Sequence, residues 1–131
     1  MLKGGKKFIK GIYLYAMSYT IHTAAFDGPF DLLLFFIERD ELDIYDIPIA
    51  TITEEFLVYL RAMEALNIDL ASEFILVAAT LMRIKAKMLL PRKEVNEHGE
   101  EVDPRTELVQ KLIEYKRYKS ILEEMRDLEE Q

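Results

Sequence analysis

The chain has 131 residues, half of them hydrophobic, with no cysteine and a formal net charge of −7. That length supports one small domain plus an extension. The apolar content excludes an unfolded chain, and the lack of cysteine excludes a disulfide framework and a thiolate zinc site, which fits a reducing cytoplasm.

Residues 1–16, MLKGGKKFIKGIYLYA, carry Lys3, Lys6, Lys7 and Lys10 and no acid, so without them the net charge moves from −7 to −11. An acidic body of this kind argues against a broad phosphate-binding face and suits a basic partner. The apolar run at 12–16 is too short for a secretion signal or a membrane span, so residues 1–16 are expected to be an extension outside the domain, with Met17 reading as a natural start. Residues 19–26, YTIHTAAF, partly alternate and predict a short extended arm or edge strand. Asp27-Gly28-Pro29 is a turn that places Pro29 at the first helical position. A first helix follows to about Arg39. Phe30, Leu33, Leu34 and Ile37 line one side, and Leu32, Phe35 and Phe36 widen its apolar surface. An acidic connection over 38–46 leads to Asp46-Ile47-Pro48 and a second helix ending near Ala65. There Thr51 and Glu54 have capping-box spacing, and Ile52, Phe56, Tyr59, Leu60 and Met63 recur at helical spacing.

After a tight connection at Asn67-Ile68-Asp69, a third helix is bounded by Asp69, a capping residue, and Pro91, which stops it. At about 100° per residue, Ser72, Glu73, Thr80, Arg83 and Lys87 share one arc. The rest forms two apolar seams. One is Leu70, Phe74, Val77, Leu81, Ile84 and Met88; the other is Ala71, Ile75, Ala78, Met82, Ala86 and Leu89. A surface helix needs one such stripe. Either both seams belong to the core of the chain, or one receives a helix from another protein. Lys85 falls between them. Residues 92–103, RKEVNEHGEEVD, read as a mobile linker. Asp103-Pro104 then starts a fourth helix from about Arg105 to Glu129, striped by Leu108, Leu112, Tyr115, Tyr118, Leu122 and Met125. Such a stripe needs a surface to dock on, on its own bundle or on a partner.

Catalytic patterns are missing. The five glycines form no phosphate-binding loop. His22 and His98 fall in the arm and the linker, and His98 with Glu97, Glu100 and Glu101 lacks anything to fix ligand geometry. Asp40, Glu41, Asp43 and Asp46 read as a solvated acidic surface, and no nucleophile–base pair is present. No enzyme, metal or cofactor is expected; helical interaction surfaces remain. The alternative, a free-standing helical nucleic-acid-binding regulatory module, would need a basic recognition helix, and the third helix offers only Arg83, Lys85 and Lys87 near its end.

The blocks FDGPFDLLL (26–34), ELDIYDIPIA (41–50), DLASEF (69–74), AATL (78–81) and IKAKMLLP (84–91), followed by DPR (103–105) and LIEYKRYK (112–119), closely resemble segregation and condensation protein A, the bacterial kleisin of SMC condensin complexes. The resemblance covers residues 18–131. It agrees with the patterning in implying an all-α fold: a small helical bundle with a short N-terminal extended arm, a linker and a further amphipathic helix. It implies that residues 17–91 form the N-terminal helical domain, which packs on the coiled-coil neck above one SMC head. Residues 104–131 would begin the middle segment that binds a dimer of segregation and condensation protein B. The C-terminal winged helix that clamps the other SMC head falls outside these residues, so the chain is expected to be a fragment or a truncated product. The role implied is that of a non-enzymatic bridging subunit in chromosome condensation and segregation. It would be cytoplasmic and nucleoid-associated, in contact with DNA only indirectly, with no membrane partner. The SMC-neck interface is expected on the Ala-rich seam at Ile75, Ala78, Ala79, Met82, Lys85 and Leu89, because bulky Phe74, Val77, Leu81 and Ile84 bury more area in the core. The interface for partner B is expected at Leu108, Leu112, Tyr115, Tyr118 and Leu122.

Overall fold

A computed structural model describes residues 26–66 and 69–130. The expected extension at 1–16, the arm before Phe26 and the Asn67-Ile68 connection lie outside the described residues. Among the described residues four helices make an all-α fold: α1, Pro29–Arg39; α2, Ile49–Ala65; α3, Ser72–Met88; and α4, Thr106–Glu130.

Helix α1 starts as expected, with Pro29 in its first turn after Gly28, whose φ of 126° is open to glycine and strained for other residues. Residues 31–34 are all buried, and at about 100° per residue four consecutive positions sweep most of the helix circumference. Phe36 and Ile37 are buried too. A helix apolar on nearly every side has to be enclosed, so α1 is the hydrophobic axis of the bundle. Each of Leu32, Leu33, Leu34, Phe36 and Ile37 adds about 1.5–3 kcal/mol of transfer free energy.

Helix α2 begins at Ile49 without a side-chain cap, so the Thr51–Glu54 spacing is not used as a cap. It buries Ile52, Phe56, Tyr59, Ala62 and Met63, and Thr53 returns its hydroxyl to the Ile49 carbonyl at 2.6 Å. Phe56 stacks on Phe74 of α3 with ring centroids 6.4 Å apart. Phe26 meets Phe35 and Tyr59 edge-on. Helix α3 begins after Ala71, whose extended backbone ends the preceding segment, and no side chain caps it; Asp69 sits too far upstream for the capping role its sequence position suggested. The helix ends at Met88, three residues ahead of Pro91.

Residues 92–103 are exposed but folded back on themselves. Val95 and Glu101 form an antiparallel bridge, and the Asn96 side-chain oxygen accepts the amides of His98 and Glu100. This turn brings α4 back onto α1, so the fourth helix does not stand apart from the bundle. Leu108 and Leu112 are buried in the common core. Arg105, just ahead of α4, ties the start of that helix to the α1–α2 connection. Its Nη1 donates to Asp46 Oδ1 and to the Ile47 carbonyl, both at 2.8 Å, while Nε and Nη2 donate to Asp103. The Arg105 hydrogen bond holds the Asp103 carboxyl below its ordinary range. Further along α4, Lys119 Nζ lies 2.8 Å from Oδ1 of buried Asp31 on α1. The second Asp31 oxygen accepts the Asp27 amide at 3.1 Å.

The Asp31–Lys119 pair yields a stability prediction. The hydrogen bond to Asp31 raises the Lys119 pKa above the ordinary lysine value. The pair therefore contributes fully below that ordinary value and is lost as pH rises through the raised one. Lys119→Ala leaves a buried carboxylate short of its cation. It should cost about 1–2 kcal/mol, less than a fully buried pair because the ammonium is partly in water. Denaturant titration at neutral pH and near pH 11 should show this loss and a weaker alkaline dependence in the variant.

Candidate protein interface

Among the described residues, no helix is long and apolar enough to cross a membrane, and no group of three or more His, Cys, Asp or Glu side chains is placed to hold a metal ion. The exposed surface instead carries two apolar helical seams.

The first is on α3. Val77, Leu81 and Ile84 are buried, with Phe74 half-buried beside them. Ile75 is 58% exposed, Met82 53% and Leu89 77%, and Ala79 and Ala86 are exposed between them. The order 75, 79, 82, 86, 89 steps by four, three, four and three. That is the repeat of a coiled-coil seam, in which every 3.5 residues a side chain faces a neighbouring helix. Over 14 residues the seam is about 21 Å long. The alanines at alternate positions let a second helix approach closely, and Met82 adapts to it. Of the residues expected at the neck interface, Ile75, Ala79, Met82 and Leu89 lie on this open seam. Lys85 sits half-buried at its edge. Ala78 is placed differently. It is 7% exposed and belongs to the core, because it lies about 80° round the helix from Ala86, on the side facing the rest of the bundle.

The second seam is on the C-terminal half of α4. Tyr118, Ile121, Met125 and Leu128 are exposed and step by three, four and three. The stripe expected to bind partner B is thereby divided. Leu108 and Leu112 are consumed by the core, Tyr115 and Leu122 are half-buried, and only Tyr118 lies on the open seam. Burial, with the carboxylates of Asp31 and Asp27 nearby, pushes the Tyr115 phenol up to about 12, so it stays a neutral donor, its ring 6.2 Å from that of Tyr118. Sequence reasoning missed Ile121 and Leu128 on α4 and left Ala86 out of the α3 interface. Counting heptads rather than turning a fixed 100° wheel would have found them, since the two periods drift by about 20° per heptad.

Between α3 and α4 runs a half-open groove of about 830 Å³. Its lining includes Pro29, Phe30, Leu76, Arg83, Lys111 and Tyr115, with charges of both signs along the rim. Nothing in this lining pairs a nucleophile with a base.

Comparison with known proteins adds an independent line. The family model described as segregation and condensation protein ScpA matches residues 36–131. A protein of Brevibacillus brevis named segregation and condensation protein A is 50% identical over 120 residues, which cover 86% of this chain and 47% of that protein. Proteins of the same name from Bacillus velezensis and Bacillus licheniformis are each 49% identical, over 88% of this chain and 47% and 48% of their own lengths. The chain spans about half the length of these curated relatives.

The split between buried Ala78 and exposed Ala86 gives a direct test of which side of α3 is open. Ala78→Glu should destabilise the chain by more than about 3 kcal/mol, because it buries an unpaired charge. Ala86→Glu should stay within about 0.5 kcal/mol, as surface substitutions do. Equal denaturation midpoints for the two variants would contradict this placement.

Proposed function

Because the chain belongs to the segregation and condensation protein A family, we propose that it acts without catalysis in chromosome condensation and segregation, bridging an SMC protein and segregation and condensation protein B. The observation that carries this reading is the open heptad seam of α3. A helix buried along one side, with a 3.5-residue apolar repeat exposed on the other, is half of a helix–helix interface. A coiled-coil neck supplies the other half. In this reading residues 17–91 form the neck-binding part and α4 leads into the partner-binding part. DNA is held by other subunits, in keeping with the acidic body, and the protein works in the cytoplasm at the nucleoid.

The fold modifies how partner B would be engaged. Leu108 and Leu112 hold α4 to α1, so the surface offered to segregation and condensation protein B is Tyr118, Ile121, Met125 and Leu128. Exposed tyrosine gives such a surface large contact area at modest entropic cost, and methionine adapts to the shape of a partner.

Two variants separate the two interfaces. Met82→Glu should abolish association with a purified SMC neck fragment while leaving the melting curve and the affinity for partner B intact. Tyr118→Ala combined with Ile121→Ala should weaken partner B by at least about 2 kcal/mol, the loss typical of interface anchors, and leave neck binding unchanged. Isothermal titration with each partner reads both, and unchanged neck affinity in Met82→Glu would refute the assignment of the α3 seam.

A further inference from the structure

The edges of the α3 seam differ in charge from the rest of the molecule. With Ile75, Met82 and Leu89 as one set of core positions and Ala79 and Ala86 as the other, Arg83 and Lys85 fall at the two flanking positions of a single heptad, one on each side of the seam. Acids outnumber bases on α1, α2 and α4, whereas α3 carries Arg83, Lys85 and Lys87 against Glu73 alone. In a chain of net charge −7, the one net-positive helix among the described residues is the helix with the open seam. Lys87 is accounted for locally, since it faces Glu94 at 3.4 Å. Lys85 and Lys87 also suit the negative end of the helix dipole, but Arg83 precedes the last turn. Neither Arg83 nor Lys85 forms an ion pair among the described residues.

Resting on the neck-binding reading above, we infer that the helix received by α3 carries acidic residues at the flanking positions of the heptad opposite Arg83 and Lys85, and that these charges select the partner and its register. Flanking charges of a coiled-coil seam act in this way, setting partner choice more than affinity. A seam built from Ile, Met, Leu and Ala has little register information of its own, because a slide of one heptad superposes like on like; a single charged heptad removes that ambiguity. Basic flanks also repel a partner helix with basic edges.

The test uses the full chain and a coiled-coil fragment of the SMC neck, with affinities measured at about 50 mM and 500 mM salt, where the screening length drops severalfold. Arg83→Glu combined with Lys85→Glu should weaken binding at least tenfold at low salt, with the gap narrowing at high salt. Lysines in place of the acids on the facing heptad of the neck should restore binding to the reversed variant. Equal binding of parent and reversed variant, or an equal loss at both salt concentrations, overturns the charge assignment and leaves the seam in place. Unchanged binding by Met82→Glu overturns the neck-binding reading itself. Among the described residues the other open seam, on the C-terminal half of α4, is acidic-edged. Sedimentation of the chain alone as a salt-sensitive dimer that Ile121→Glu disperses would give the α3 seam to a second copy and overturn the proposal.

Discussion

The enclosure of α1 is the constraint on which the rest of the fold depends. With residues 31–34, Phe36 and Ile37 all buried, no orientation of this helix can face water along its length. One neighbour is insufficient, because a single helix covers only one stripe of another. Helices α2, α3 and α4 are therefore gathered around it, and each gives up one face to do so. The face that each keeps for solvent follows from that arrangement.

Asp31 is the polar exception on this axis, and it is informative. A carboxylate in an otherwise apolar helix is costly to bury unless paired and hydrogen-bonded. Asp31 has both, from the Asp27 amide and Lys119. Lys119 occupies the place of a core residue in the inward repeat of α4, between Tyr115 and Leu122. A polar residue at one core position specifies register at some cost in stability. Together with Arg105 at the other end, the pair fixes where α4 lies along α1. It thereby decides which part of α4 is consumed by the fold and which part is left open.

Two helices thus carry an inward repeat and an outward one. On α3 the outward repeat is complete over about four turns and basic at its edges. On α4 it is confined to the C-terminal half and acidic. The two open surfaces thus differ in sign, although both repeat every 3.5 residues. Exposed apolar side chains arranged in such order are more informative than the same residues scattered singly.

Much of this was legible in the sequence. Pro29 and Pro91, the 3.6-residue periodicity and the charged stretch at 92–103 placed four helices to within a few residues, since caps, breakers and amphipathic spacing act locally. The blocks at 26–34, 41–50 and 69–91 pointed to the family. Tertiary structure alone decided which helix is enclosed, that α4 returns to the bundle, and that Ala78 faces inward while Ala86 faces outward. The reason is geometric: periodicity gives the angle of each side chain about its own helix axis, but not the direction in which the neighbouring helices lie. For α1 and α3, both apolar on more than one side, several packings satisfy the pattern equally. The choice between them rests on long-range pairs such as Asp31 with Lys119 and Asp46 with Arg105, whose members lie too far apart in the sequence to be matched by spacing.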